Sequence, residues 1–501
     1  MDLIGSVEGM RRYLGFIVLL GLCLTPVSFV QAAPTPPGAL VTQTSAPVRI
    51  ILLIGDGMGA AQRTAAQWAS VGLTGHLVMD TLPVSGWART VNVYGEITDS
   101  AAAATAMATG VKTANGRIGQ APDGTPLTTI LEQARARGLA TGLVTNTPIV
   151  DATPAAFAAH TGSRYAGAEI AQQLLAARVE VLLGGGENAF LPEGWTGQYP
   201  EPGTRTDGRN LIAEAVQAGY TYVWDGAGLR AAAALNAPYV LGLFADGGML
   251  RPHTPSLAEM TGHALTLLSP RPQGFFLMVE GGQIDWACHA NDAAHAIGDT
   301  LDFDAAVAVA LHYAAQTENT LVIVTSDHET GGMLLSLNPN GGQAFTMPDG
   351  TPFYVTWTTD GHTDARVLVN ARGPWSELAA GSYENTHLYT LMATALMAPP
   401  TLLLTGPAMA RPGEPLTFEA TFSPVNAAWP TSYLWTATEQ SPQLTAGGVN
   451  SRVSFTWPLT GTYTLTVTAQ TPEVQLTASR FVLVLHRWYT LYLPLIYKGE
   501  P

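Results

Sequence analysis

Five continuous apolar segments constrain the fold of this chain more than any other feature of its sequence. The segments span residues 48–55, 140–146, 179–186, 275–281 and 321–327. Helix-length stretches, such as residues 127–138 and 166–178, lie between them. A strand that is apolar at every position is buried on both faces, as the strands of a covered parallel sheet are. The alternation of such strands with helices predicts an α/β fold, a three-layer sandwich with a mostly parallel central sheet.

The length and charge of the chain limit its domain count and its partners. Its 501 residues allow one large domain and a smaller one. The net charge of -15 argues against a general nucleic-acid binder, which would present a basic face. A phosphate substrate stays compatible with this charge, because bound metal ions reverse the local field.

The N-terminus predicts export. Arg11 and Arg12 precede an apolar run at 13–24, and a small-residue cleavage motif ends at Ala32. We therefore expect a signal peptide over residues 1–32, a linker over 33–47, and a secreted, periplasmic or cell-surface protein. The run is too short for a membrane span, so the mature form should have no transmembrane segment. Whether translation starts at Met1 or Met10 is left open.

The chain has two cysteines, of which the signal peptide contains Cys23. Leu22 before it is bulkier than lipoprotein processing usually accepts, so we do not expect lipidation. The mature chain then has only Cys288 and no intrachain disulfide. We interpret Cys288 as a small buried residue and not as a zinc ligand.

The pattern changes near residues 399–400. Beyond that point short alternating runs are separated by Pro, Gly and Asn, which is typical of an all-β sandwich. Trp435 and the Gly461-Thr462-Tyr463 strand entry favour a small immunoglobulin-like or PKD-type module over residues 399–487. The aromatic tail, residues 488–501, is either a last strand or an attachment tag.

Side chains of the metal-ligand type follow three of the buried strands. Asp56 follows the first strand, Glu280 ends the fourth, and Asp327 and His328 end the fifth. Buried carboxylates are costly unless they are paired or bind a metal ion. The carboxyl ends of strands in an open α/β sheet are also where ligands bind. The sequence therefore predicts a metal centre at this edge.

Three further residues complete the predicted ligand set. Asp285 and His289 are four residues apart, so one helical turn places them on the same face. His362 lies in a glycine-bearing loop. Carboxylates and imidazoles together suit zinc, and the oxygen atoms also suit magnesium.

Ser100 begins an alanine-rich helical segment, where a serine alone would indicate no more than a helix cap. Next to this many metal ligands, it is a candidate for a metal-activated nucleophile. The helix start would also direct free N–H groups toward an anion.

Over residues 48–398 the chain resembles the alkaline phosphatase family. The resemblance rests on motifs in matching order: Asp56-Gly57-Met58-Gly59, Thr98-Asp99-Ser100-Ala101, Thr109-Gly110-Val111-Lys112-Thr113, Asp151-Ala152-Thr153-Pro154, His160-Thr161-Gly162-Ser163-Arg164, Leu183-Gly184-Gly185-Gly186, Glu280-Gly281, Asp285, His289, Asp327-His328 and His362. It implies two Zn²⁺ ions and a third ion, normally Mg²⁺.

The resemblance also implies a role for each matching residue. The ligands of the first zinc ion would be Asp285, His289 and His362. The second zinc ion would be bound by Asp56, Asp327, His328 and the Ser100 oxygen. The third ion would be shared by Asp56, Thr153 and Glu280. Arg164 matches the arginine that binds the phosphoryl oxygens, and Asp151 and Trp286 would lie beside the ligands. Trp286 stands where some members carry lysine and others histidine or tryptophan. Lysine would reach the phosphate through water and Trp286 cannot, so the phosphate affinity and the preference of the third metal site depend on this position.

The implied activity is hydrolysis of small phosphate monoesters to an alcohol and phosphate, by two in-line displacements through a phosphoserine. A homodimer is left open, and the C-terminal module would contact the cell surface or another partner, or stabilise the protein.

Two related activities fit less well. A sulfatase needs a formylglycine motif, whereas alanines follow Ser100; phosphodiesterases usually use threonine and lack the arginine. A pure surface-binding protein would show a degenerate site, and no expected ligand is missing.

Overall fold

The computed structural model describes residues 48–317, 319–339, 341–396, 401–423, 430, 432–448, 450–470 and 475–486. The expected signal peptide, linker and C-terminal tail lie outside these residues, as does the expected boundary at 398–399. These domain limits therefore stay predictions. None of the helices in the described ranges is both long and apolar enough to cross a membrane.

The strands of the described residues before 397 include those predicted from the five apolar segments. They are β1 (Val48–Gly55), β2 (Val84–Arg89), β3 (Ala140–Pro148), β4 (Val181–Gly185), β5 (Thr221–Val223), β6 (Val240–Leu243), β7 (Gly274–Gly281), β8 (Thr320–Thr325), β9 (Glu329–Thr330), β10 (Leu334–Ser336), β11 (Gln343–Thr346), β12 (Pro352–Thr356), β13 (His362–Thr363), β14 (Val367–Arg372) and β15 (Gly381–Glu384).

Helices lie between the strands from β1 to β8, as the predicted alternation requires, and one more helix follows β15. They are α1 (Ala60–Val71), α2 (Ser100–Thr109), α3 (Ile130–Ala136), α4 (Ala152–Ala158), α5 (Gly167–Ala176), α6 (Leu211–Gln217), α7 (Gly226–Ala234), α8 (Leu257–Leu268), α9 (Gln283–His289), α10 (Ala293–Gln316) and α11 (His387–Leu396). The helix predicted over 127–138 begins only at Ile130, because Thr129 and Glu132 form a capping box that fixes its first turn.

Ten strands form the central sheet in the order β15-β2-β14-β8-β1-β7-β3-β4-β6-β5. The pairs from β8 to β5 are parallel, and β14 pairs antiparallel with both β8 and β2. The prediction of a mostly parallel sheet is therefore confirmed.

Both faces of this sheet are covered, which makes the three layers. Ile50, Leu52 and Ile54 of β1 pack with α2, α3, α4, α5 and α11 on one face. Ile51 and Leu53 pack with α1, α8 and α10 on the other. Burial on both faces is the reason why β1 carries no polar residue between Ile50 and Ile54.

A separate β-sandwich follows. Its strands are β16 (Thr401–Thr405), β17 (Met409–Ala410), β18 (Pro415–Ser423), β19 (Ser432–Ala437), β20 (Gln443–Ala446), β21 (Asn450–Thr456), β22 (Gly461–Gln470) and β23 (Gln475–Val484). One sheet has the order β16-β18-β21 and the other β17-β23-β22-β19-β20. Trp435 on β19 is fully buried between them, and its indole N–H donates to Ser451 Oγ at 3.0 Å. The predicted all-β module is confirmed.

Candidate active site

The carboxyl ends of four neighbouring strands bring the predicted ligands together. Because β8, β1, β7 and β3 are adjacent and parallel, the residues that follow them share one edge of the sheet. Two backbone N–H groups connect these strand ends. The Asp56 N–H donates to the Gly281 carbonyl, and the Gly57 N–H donates to the side-chain oxygen Oδ1 of Asp327. Gly57 has a φ of 71°, and a Cβ there would lie 2.9 Å from the Asp285 Cα, so a side chain would displace α9.

One cluster forms around His328. Its Nε2 lies 3.5 Å from Asp56 Oδ1, 3.2 Å from Asp327 Oδ2 and 3.3 Å from Ser100 Oγ. Asp327 and His328 are fully buried, and Asp56 is nearly so. These side chains have the spacing that a single metal ion requires.

A second cluster joins Asp285 to two histidines. On α9, Asp285 Oδ2 lies 3.3 Å from His289 Nε2, and its Oδ1 lies 3.5 Å from His362 Nε2. His362 reaches this position because β13 pairs antiparallel with β9, with His362 opposite Thr330. The predicted helical turn at 285–289 is confirmed, and this cluster too could hold a metal ion.

The backbone orients both histidines of this cluster. His289 Nδ1 bonds the Asp360 carbonyl at 2.5 Å, and His362 Nδ1 bonds the Thr98 carbonyl at 2.8 Å. A carbonyl accepts only, so each Nδ1 carries a proton, and in the neutral form of each ring Nε2 presents a lone pair. The two Nε2 atoms are 3.0 Å apart, and two lone pairs at this distance need a proton or a cation between them.

The two clusters are neighbours. The rings of His328 and His362 stack with centroids 3.6 Å apart. Thr330 connects the clusters, because its hydroxyl lies 2.5 Å from Asp285 Oδ1 and 3.2 Å from His328 Nδ1. Two ions bound here would be close enough to act on one substrate group.

A third set of oxygen ligands surrounds Glu280. The Glu280 carboxylate accepts from the hydroxyl groups of Thr145, at 2.5 Å, and Thr147, at 3.3 Å. Thr153 is buried at the start of α4, and its hydroxyl has no hydrogen-bond partner in the described ranges. An all-oxygen set of this kind suits a hard cation such as Mg²⁺.

The pKa values of three of these carboxylates are raised, because burial and neighbouring negative charges disfavour their ionised forms. Burial, followed by the charges of Asp327, Asp285 and Glu280, raises the pKa of Asp56 well above its ordinary value. Burial and then the charge of Asp151 raise the pKa of Glu280 to about 8, and burial and then the charge of Asp285 raise that of Asp327 to about 7. Carboxylates in such a group cannot all ionise at neutral pH without a compensating positive charge.

In the cluster on α9, the neighbouring histidines lower the pKa of the carboxylate instead. Burial alone would raise the pKa of Asp285, but the hydrogen bond from His289 and the nearby imidazoles outweigh it and leave a pKa of about 2. The same hydrogen bond raises the pKa of His289 to about 9, although burial opposes it. Burial lowers the pKa of His328 well below its ordinary value, so its ring is neutral and available as a ligand.

Three buried oxygen atoms without hydrogen-bond partners test whether cations fit here. In the described part of the chain, Asp56 Oδ1, Asp327 Oδ2 and Thr153 Oγ1 have none. Buried polar atoms are almost always bonded, so these atoms indicate partners that are not protein groups. Together with the concentrated negative charge, they make the residues suitable for divalent ions.

Ser100 is positioned by the local structure of α2. Asp99 caps this helix by accepting from the Ala102 N–H at 2.9 Å, which leaves Ser100 at the first helical position with its hydroxyl toward His328. Every residue of α2 is buried, and its alanines permit close packing against α4. The helix start at Ser100 is confirmed.

Arg164 lies between two carboxylates. Its guanidinium donates to Asp99 Oδ2 and to Asp151 Oδ1, both at 3.3 Å. Burial opposes its charge, but Asp151 and Asp99 outweigh burial and raise its pKa further. Asp151 also caps α4. Trp286 is 40% exposed, so this face of α9 is open to solvent.

Several residues of the site did not follow from the sequence. Asp99 lies in the serine motif but also holds Arg164 and the Gly116 N–H. Thr145 and Thr330 contact ligands directly. The signal for Thr145 was present, since it lies near the end of the predicted strand 140–146, and the structure pairs it with Glu280 of β7. Cys288 is buried, as predicted, and Gln62 approaches its sulfur at 3.7 Å.

A covered parallel sheet with grouped carboxylates and imidazoles and a buried serine at its edge is typical of a metal-dependent hydrolase with an α/β fold. Comparison with known proteins narrows this class. A family model described as alkaline phosphatase matches residues 48–349, and one described as PKD domain matches residues 402–484.

The relatives agree with these matches. Streptomycin-6-phosphate phosphatase of Streptomyces griseus is 40% identical and covers 73% of this chain and 94% of its own length. Alkaline phosphatase of Escherichia coli is 36% identical, over 69% of this chain and 85% of its own. The solved alkaline phosphatase of the Antarctic bacterium TAB5 is 32% identical and covers 70% of this chain and 98% of its own, with a TM-score of 0.60.

The chain belongs to the alkaline phosphatase family, a family of metal-dependent phosphoric monoester hydrolases, and has a PKD domain at its C-terminal end. The predicted family, fold and enzyme class are confirmed. The roles of individual residues stay predictions.

Proposed function

We propose that this chain hydrolyses small phosphate monoesters through a phosphoserine at Ser100. The observation that carries the proposal is the convergence on His328 Nε2 of Ser100 Oγ, at 3.3 Å, with Asp56 and Asp327. A serine hydroxyl is a poor nucleophile in water, and here its oxygen lies where a metal ligand would.

The proposed cofactors are two Zn²⁺ ions and one Mg²⁺ ion. Asp285, His289 and His362 would hold the first zinc ion, and Asp56, Asp327, His328 and the Ser100 oxygen the second. Asp56, Thr153 and Glu280 would hold Mg²⁺. When bound, the ions would neutralise the carboxylates and lower the pKa of the serine hydroxyl and of water.

The chain's own groups then perform binding and transfer. Arg164 offers a planar pair of N–H donors to two phosphoryl oxygens, a geometry that lysine does not reproduce. Ser100 Oγ attacks phosphorus as the bond from phosphorus to the leaving oxygen breaks on the opposite side, and the proton lost by the serine completes the alcohol. Water then attacks the phosphoserine, the bond from Ser100 Oγ to phosphorus breaks, and inorganic phosphate and the serine hydroxyl are released. Asp99 and Asp151 hold the Arg164 guanidinium in place when no substrate is bound.

Location and partners form a second part of the proposal. The N-terminal pattern supports export to a secreted, periplasmic or cell-surface location, and the PKD domain would contact the cell surface or another protein. The name of one relative, streptomycin-6-phosphate phosphatase, gives a small phosphate monoester as its substrate, which supports this substrate class here.

The test compares an aryl phosphate monoester with the matching diester, with and without a chelator, for the wild type and Ser100→Ala. We expect monoester turnover that the chelator abolishes and that the variant lacks. Acid quenching during turnover should trap a phosphorylated wild-type protein but no phosphorylated Ser100→Ala protein. Full activity with the chelator, or undiminished turnover in the variant, would refute the mechanism.

A further inference from the structure

A second group of metal-type ligands lies away from the active site described above. It consists of His253, in the loop between β6 and α8, and of Asp299 and Asp302 on α10. One ligand atom from each residue lies within 4.8 Å of the other two. Asp299 and Asp302 are three residues apart on one helix and therefore share a face.

His253 carries the argument. Its side chain is 1% exposed, yet neither ring nitrogen makes a hydrogen bond to any residue in the described ranges. Buried imidazoles normally satisfy at least one nitrogen. His253 Nδ1 faces the group, 3.6 Å from Asp302 Oδ2. Ligands at 2.0–2.1 Å from a tetrahedral zinc ion lie about 3.4 Å apart, so this separation is close to that of two ligands of one ion.

Arg251 orients the second ligand through both of its oxygen atoms. Its Nε donates to Asp299 Oδ1 at 3.0 Å and to Oδ2 at 2.9 Å, and its Nη2 also donates to Oδ2. Of the two oxygens, Oδ1 accepts only the bond from Nε in the described part of the chain. A carboxylate oxygen has a second lone pair, which stays available to a cation. Ligating carboxylates are commonly held by such outer hydrogen bonds. Two carboxylates and one guanidinium leave a net negative charge for a cation to neutralise.

The same group is connected to the active site. Arg251 also donates to the Gln283 carbonyl at 3.0 Å, at the start of α9, and Gln283 Nε2 donates to the Met249 carbonyl at 2.6 Å. An ion bound to His253, Asp299 and Asp302 would therefore fasten the loop to α10 behind the helix that carries Asp285 and His289.

We propose that His253, Asp299 and Asp302 form an additional site for a divalent transition-metal ion, of which zinc is the best match. The imidazole nitrogen disfavours Ca²⁺ and Mg²⁺, which prefer oxygen ligands. Asp302 is 53% exposed, so a water molecule can complete the coordination and an ion can enter from solvent. The site is structural, and it does not depend on the function proposed above.

The test measures zinc content. The full chain is stripped with a chelator, reloaded with excess Zn²⁺, freed of unbound metal by gel filtration and analysed by mass spectrometry of the metal. The variants are His253→Gln and Asp302→Asn. The control is His312→Gln, because His312 is an exposed histidine on the same helix that bonds only to Gln316 among the described residues.

We expect each variant to hold one zinc ion fewer per chain than the wild type and the control, with aryl phosphate turnover within about twofold of wild type. Equal zinc content in all four proteins would show that His253 and Asp302 form an ion pair without a metal ion, and would overturn the proposal. If His253→Gln fails to fold, Asp302→Asn decides alone, since its exposed side chain supports no core packing. A chain without phosphatase activity that still shows the one-ion difference would contradict only the proposed function.

Discussion

Replacement of Arg164 tests the proposed phosphate contact most directly. The guanidinium reaches two carboxylates on opposite sides at 3.3 Å, with a side chain that is 20% exposed. Each terminal nitrogen carries two N–H groups, so one N–H group on each is left for a phosphoryl oxygen while the carboxylates hold the side chain. A hydrogen bond between charged groups contributes about 1.5–3 kcal/mol. Partial exposure favours the lower figure, so two bonds amount to about 3 kcal/mol.

This energy sets the expected rates. Arg164→Ala should lower kcat/KM for an aryl phosphate monoester by roughly 10²-fold. Arg164→Lys keeps the charge but only one donor direction, so it should lose about tenfold. Arg117→Lys is the matched control, because Arg117 lies in the same region and bonds Gln120. It should retain wild-type rates.

The assay is steady-state hydrolysis with release of the aryl alcohol followed by absorbance, at saturating zinc and magnesium. Phosphate inhibition constants should rise in parallel with the loss of kcat/KM, since phosphate uses the same contact. Wild-type kcat/KM in Arg164→Lys would refute the two-oxygen geometry. An equal loss in Arg117→Lys would show that the effect is not specific to the position of Arg164.

Three further outcomes are expected. Thr145→Val removes the hydroxyl 2.5 Å from Glu280 and should weaken Mg²⁺ binding at least tenfold in calorimetric titration, while zinc content stays unchanged. His160→Gln removes a partner of Glu132. The hydrogen bond to Glu132 raises the pKa of His160, so the stability it adds is present below about pH 6.5 and is lost as the pH rises through the raised value. The melting temperature of His160→Gln should therefore fall below that of wild type more at pH 6 than at pH 9. Trp435→Phe removes a buried indole and its hydrogen bond, and should destabilise the β-sandwich by about 2–3 kcal/mol in calorimetry, with hydrolysis unchanged.

The sequence was sufficient for the elements whose pattern is local. The strand β1 is apolar on both faces, so its burial and the position of Asp56 at its end follow from eight consecutive residues. The spacing of Asp285 and His289 likewise depends on a single helical turn. These predictions needed no knowledge of distant contacts.

The remaining contacts join segments far apart in the chain. The bond from Thr145 to Glu280 spans 135 residues, and the one from Arg164 to Asp99 spans 65. No periodicity encodes such pairs. Their positions depend on the strand order of the sheet, which places β3 beside β7, and on the packing of α2 against α4.

The pairing of β9 with β13 has a consequence for how this enzyme can change. His328 and His362 stack on one another, and between them the chain leaves at Gly331 and returns at Gly361, where the N–H of the first bonds the carbonyl of the second. The excursion of some thirty residues, with its own sheet β10-β12-β11, thus begins and ends at one closed point. Phe353 and Val355 of this segment are buried in the core, and the Asp360 carbonyl orients His289, so these parts have to stay. Its turn at residues 348–350 is exposed, and we expect that this turn can be shortened, lengthened or exchanged while the distances among the ligands stay as they are.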